Sequence, residues 1–115
     1  FSKYLEYFSN PFELYGCNTA WLAFPILIKD TAPFTRKQFQ IFLEERNIQT
    51  RVVFTGNILR QPMCKNINKK VIPSGYPNSD SIMERGVLLP LHHGLTEDMF
   101  SRLHETIDEF IIKYK

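Results

Sequence analysis

Cysteine is scarce in this chain of 115 residues, with Cys17 and Cys64 alone. They show neither C-x-x-C spacing nor a neighbouring histidine pair, so neither a disulfide framework nor a structural zinc site underlies the fold. Two inert thiols suit a reducing compartment, and a cytoplasmic location is expected. No apolar run approaches the ~20 residues of a membrane helix, and no signal-peptide pattern is visible, so no membrane partner is expected. Charge of one sign is also scant. The net value is +2, and the basic cluster Lys65, Lys69 and Lys70 falls in a loop-like stretch and reads as solvated, which argues against a nucleic-acid partner. G-x-S-x-G, the Walker loop, H-E-x-x-H and the Rossmann glycine series are all missing.

Core-forming residues are plentiful. Hydrophobic residues make up 43% of the chain, including ten Phe, five Tyr and one Trp. That composition belongs to a globular domain rather than a disordered one. A chain this long buries roughly two-thirds of its unfolded surface, so one domain spanning residues 1–115 is expected. It opens at Phe1 rather than Met, and we expect a segment of a longer polypeptide.

Residues 1–8 place Tyr4, Leu5 and Phe8 at helical spacing, as the tail of a longer helix would. The apolar run 20–28 reads as a strand, in which Pro25 calls for an edge position or a bulge. Thr35 with Gln38 forms a capping box, and Phe34 can staple onto Phe39. Phe39, Phe42 and Leu43 continue that helix as one stripe until Asn47 ends it. Residues 49–54 form a second strand. Residues 55–80 show little periodicity and carry Pro62, Pro73, Pro77, Gly56 and Gly75, a binding loop or inserted hairpin. A short helix over 80–85 stops at Gly86, and 87–91 form a third strand. A last helix starts at Thr96, with Phe100, Leu103, Ile107, Phe110, Ile111 and Tyr114 as its buried stripe. The expected fold is an α/β (α+β) sandwich, a small sheet of about three strands covered by helices.

Six residues are candidates for ligand binding. Arg51 alternates with apolar neighbours on the second strand, where a guanidinium must pair with an acid, reach solvent or meet a phosphate. Thr55-Gly56-Asn57 permits a sharp bend, and Arg60 and Gln61 add donors before Pro62. An ordinary Asx-type turn is the plainer account of the same residues. His92 and His93 lie between a strand and a helix, where α/β folds expose groups to ligands. Adjacent rings chelate one metal poorly, so no metal site is expected. His104 falls off the apolar stripe and is expected to face solvent. No catalytic residue is assigned.

Three stretches, in order, carry a resemblance: W-L-A-F-P-I-L-I (21–28), N-I-Q-T-R-V-V-F-T-G-N-I-L-R-Q-P (47–62) and G-V-L-L-P-L-H-H-G-L-T (86–96). Together they resemble the C-terminal part of the DegT/DnrJ/StrS nucleotide-sugar aminotransferases and dehydratases, nearest the CDP-4-keto-6-deoxy-glucose 3-dehydrase branch. The resemblance implies the small C-terminal domain of the aspartate-aminotransferase fold (fold type I) in a homodimeric enzyme. That enzyme uses pyridoxal 5′-phosphate or pyridoxamine 5′-phosphate, bound mainly by a large domain that also carries the catalytic lysine or histidine. It implies deoxysugar and lipopolysaccharide O-antigen synthesis as the setting. On this reading no cofactor is expected in the chain itself. Arg51 and Asn57 would contact the sugar or its phosphates, with Arg60 and Gln61 supporting their loop. Surface around residues 1–15 would be exposed and partly apolar where it meets the large domain. His92-His93 departs from the branch, which leaves dehydrase against aminotransferase open. Cys17 and Cys64 do not match the iron–sulfur cysteines of some 3-dehydrases. A stand-alone nucleotide-sugar or protein binding module is the alternative.

Overall fold

The computed structural model describes residues 1–115. Four antiparallel strands form one sheet in the order β1-β2-β4-β3: β1 (Phe8–Ser9), β2 (Phe24–Ile28), β3 (Arg51–Val52) and β4 (Gly86–Leu89). Helices α1 (Arg36–Glu44), α2 (Pro77–Arg85) and α3 (Glu97–Tyr114) cover it. The small helix-covered sheet is the expected α/β architecture, with one strand more than expected.

That extra strand replaces the helix expected over residues 1–8. Ser2–Tyr4 form a single 3-10 turn, a second turn carries the chain through residue 7, and Phe8 then pairs with Ile28 on β2. Tyr4, Tyr7 and Phe8 are all buried. A short aromatic run fits either period, and the free β2 edge decided the outcome.

Pro25 sits on an inner strand, correcting the expected edge or bulge. It faces Leu88 of β4 in regular register. Lys29 donates its N–H to the Tyr7 carbonyl on the β1 side. Alternation along an antiparallel strand then turns the N–H positions of residues 27 and 25 to that same side. β1 ends at Ser9, opposite Leu27, so the missing N–H of Pro25 falls beyond the ladder and no bond is lost.

The capping signals are realised. Thr35 Oγ1 accepts the Gln38 N–H at 3.3 Å, and Gln38 Oε1 accepts the Thr35 N–H at 2.8 Å. Phe34 and Phe39 are buried with ring centroids 6.4 Å apart, completing the staple. At the far end of α1, Asn47 takes φ 60°. Its N–H reaches the Glu44 carbonyl and that of Ile48 reaches Leu43, the paired bonds of a Schellman ending. On α3, Thr96 caps the Met99 N–H at 3.3 Å. Leu103, Ile107 and Phe110 of α3 meet Phe39, Phe42 and Leu43 of α1 in the core. Phe110 lies 4.7 to 5.2 Å from the rings of Phe34, Phe39 and Phe42, all edge-on.

α2 begins at Pro77, three residues before the expected start, because proline suits a first helical position. Gly86 follows it with φ −76° and opens β4 directly. Its role is closeness rather than a left-handed stop, since a Cβ there would lie 2.6 Å from the Ile82 carbonyl oxygen. The stretch 55–80 holds no hairpin. It contains two 3-10 turns, Ile58–Arg60 and Pro62–Cys64.

Candidate functional site

Arg51 opens β3, at the edge of the sheet beside β4, and a bend follows the strand. Arg51 is exposed and enters none of the three ion pairs in the structure. Solvent satisfies this guanidinium, which leaves its donor fork available to an anion.

The chain then makes a tight reversal with two left-handed residues, Phe54 at φ 47° and Gly56 at φ 63°. A bulky side chain is disfavoured in that region, and Phe54 stands 83% exposed. Gly56 is required twice over: its φ is positive, and a Cβ would lie 2.6 Å from the Cα of Met83 on α2. Phe54, Thr55, Gly56 and Gln61 line an open groove of about 300 Å³ with Arg36 and Met83.

Asn57 is placed inside the bend, 5% exposed. Its Oδ1 accepts the Leu59 N–H at 3.0 Å, and its Nδ2 donates to Asp80 Oδ1 at 2.7 Å. Arg60 grips the same carboxylate twice, Nε to Oδ1 at 3.0 Å and Nη2 to Oδ2 at 2.9 Å. Arg60 and then Asn57 hold the Asp80 carboxyl down to about 2, below the ordinary carboxylate range. Gln61 donates from Nε2 to the Thr55 carbonyl at 2.9 Å, closing the base of the bend. Asn57, Arg60 and Gln61 thus form one internally bonded unit, with Arg51 before it as the uncommitted cation.

His92 and His93 do not join that unit. They are exposed beyond the far end of β4, whereas the bend abuts its Gly86 end through Met83. His92 Nδ1 accepts the Gly94 N–H at 3.1 Å, which leaves Nε2 as the protonated nitrogen of the neutral ring. His92 lines a separate groove of about 450 Å³ with Asn47, Gln49, Met99 and Arg102.

Two features escaped sequence reasoning. Asp80 looked like an ordinary residue near a helix start, and its partners lie 20 and 23 positions away. His104 is half-buried rather than solvent-facing, because the N-terminal segment lays Tyr4 against it. The expected apolar surface is also distributed differently. Tyr4, Tyr7 and Phe8 enter the core, while Phe12 (80% exposed), Leu14 and Tyr15 stay outside, joined by Leu22, Phe54 and Met63.

A pyridoxal-type cofactor requires clustered phosphate donors and an electronic partner for its ring. The one lysine along the larger grooves is Lys29, in an open groove of about 380 Å³, and its amine is engaged by the Leu5 carbonyl. The residues of this chain by themselves do not fit such a group.

Comparison with known proteins places this loop in a family. Residues 7–108 match the DegT/DnrJ/EryC1/StrS aminotransferase family. The chain belongs to that family. It is 37% identical over 94 residues to a dTDP-4-dehydro-2,6-dideoxy-D-glucose 3-dehydratase of Saccharopolyspora spinosa, covering 82% of the chain and 20% of that relative. It is 30% identical over 105 residues to the lipopolysaccharide biosynthesis protein RfbH of Salmonella typhimurium, covering 91% of the chain and 24% of RfbH. The chain therefore spans about a fifth to a quarter of the curated relatives it matches. In fold it is similar to a GDP-4-keto-6-deoxymannose-3-dehydratase whose crystal structure holds a trapped PLP-glutamate geminal diamine. The TM-score is 0.78 at 23% identity, over 91% of this chain and 27% of that one. The fold is thus a portion of the PLP-dependent aminotransferase fold, as the motifs implied.

Proposed function

We propose that this chain is the C-terminal substrate-pocket domain of a nucleotide-sugar 3-dehydrase dependent on pyridoxal or pyridoxamine phosphate. The enzyme would remove the C3 hydroxyl of a 4-keto-6-deoxyhexose in deoxysugar synthesis. The observation that carries this reading is the unpaired Arg51 guanidinium set before a bend whose Asn57, Arg60 and Gln61 side chains are already bonded within the domain. Such an arrangement suits a phosphate or sugar ligand better than it suits fold stability. The likeness to a 3-dehydratase over most of the chain supports the reaction class.

On this reading the rest of the polypeptide supplies the large domain, the cofactor site and the catalytic residue, and a second subunit completes the pocket. The enzyme would work in the cytoplasm on substrates for surface polysaccharide; no helix here is long and apolar enough to cross a membrane. Arg51 is the direct ligand to the anion, with Asn57, Arg60 and Gln61 shaping the bend. His92 and His93 belong to the opposite end of the domain, where they would meet another part of the enzyme.

The test is Arg51→Ala in the complete polypeptide. KM for CDP-4-keto-6-deoxy-glucose should rise about ten-fold or more, the scale of one charge-assisted hydrogen bond lost. Unchanged KM and turnover would sink the assignment. The same assay separates the aminotransferase reading, for which glutamate-dependent amino transfer replaces loss of the C3 hydroxyl.

A further inference from the structure

We infer that Asp80 is a positioning residue for the substrate-facing bend, holding residues 55–61 in the one shape that leaves Arg51 clear to meet an anion. The inference rests on the reading of that bend as part of a nucleotide-sugar pocket.

The geometry gives α2 two grips on the bend. Asp80 and Met83 are three residues apart and share a helix face. Asp80 takes three donors from the bend, one from Asn57 and two from Arg60. Met83 packs against Gly56, the residue at the apex, so closely that no side chain fits between them. α2 is itself anchored, since Arg36 of α1 donates to the Met83 carbonyl and Arg85 donates to the Ile28 carbonyl at 2.8 Å. The bend is therefore referenced to α1 and β2 through α2, and not left to its own turn propensity.

Such support is needed because the bend is unfavourable on its own. Phe54 occupies a left-handed conformation that a bulky residue avoids, and such conformations persist where surroundings over-determine them. The charge arithmetic has a second consequence. Asp80 neutralises Arg60 through both prongs of its fork, so Arg60 cannot compete with Arg51 for the same anion. Three donors on one carboxylate also keep Asp80 ionised at neutral pH, which rules it out as a proton donor and suits it to a fixed anchor.

The experiment compares Asp80→Asn, Asp80→Glu and Arg51→Ala in the complete polypeptide with its cofactor. Two readouts are taken: amide hydrogen exchange over residues 55–61, and kcat and KM for CDP-4-keto-6-deoxy-glucose. Asp80→Asn should accelerate exchange at 55–61 while α3 stays protected, and raise KM about ten-fold with kcat changed by less than about two-fold. Asp80→Glu should recover part of the KM, because the charge is retained. Faster exchange with unchanged KM overturns the inference, as does unchanged exchange. If Arg51→Ala raises KM and Asp80→Asn does not, positioning alone fails; if neither does, the nucleotide-sugar reading has failed and this inference with it. Should Asp80→Asn not fold, Arg60→Gln keeps the Asn57–Asp80 bond and is held to the same two readouts.

Discussion

The Tyr4 hydroxyl donates to the backbone carbonyl of His104 at 2.9 Å, while the two rings stack with centroids 5.7 Å apart. This contact joins the first residues of the chain to the middle of α3, 100 positions away. Burial pushes the Tyr4 phenol up to about 12, and burial pushes His104 below its ordinary value. For a histidine depressed in the folded state, the unfolded chain binds more protons in the intervening range. Its contribution to stability is therefore complete above about pH 6.5 and declines as pH falls through the folded value. His104→Gln should flatten the fall in Tm between about pH 7 and 5. An identical slope in the variant would show that the Tyr4–His104 contact does not couple to protonation.

Asp80 governs a lower window. Its folded value of about 2 lies beneath the 3.8 of an unperturbed Asp, with Arg60 the leading cause and Asn57 the second. Stability from this cluster is present above about pH 4 and is lost as pH falls towards 2. Asp80→Asn should remove that part of the acid sensitivity, measured by thermal melts at stepped pH. Asp108, held down by Lys3, contributes in the same direction and should persist in the variant.

Gly56→Ala should destabilise the domain by about 2 kcal/mol or more, through left-handed strain and the collision with Met83 together. The double variant Gly56→Ala/Met83→Ala should lose about the sum of its parts, because the collision is with the Cβ and Cα of Met83, which alanine keeps. Chemical denaturation of the four proteins in that cycle decides the matter. A loss well below the sum would instead trace the collision to the outer atoms of the Met83 side chain.

Phe110→Ala removes a fully buried ring that three phenylalanines meet edge-on. The loss should be about 3–5 kcal/mol, a large part of the stability of a domain this size. Phe110→Leu, which keeps much of the volume, should lose markedly less in the same denaturation experiment.

The chain's local chemistry determined a good deal by itself. Thr35, Gln38 and Phe34 specify the start of α1, Asn47 its end, and Thr96 the start of α3, since each acts on neighbours within a few residues. Helical spacing likewise marked Leu103, Ile107 and Phe110 as core. Those signals are local because caps and periodicity are local. Tertiary structure decided the rest. Residues 1–8 carry helical spacing, yet they turn instead and Phe8 joins the sheet because β2 offered an edge; Pro25 was tolerated inside the sheet only because β1 stops short of it. The site divides along the same line. Arg51 and its bend were visible as a run of polar residues after a strand. That Asn57 and Arg60 turn inward to Asp80, and that His92 belongs elsewhere, depends on where α2 and β4 carry residues 20 or more positions away. Hydrogen bonds across such separations leave no periodic trace in sequence, because folding alone brings donor and acceptor together.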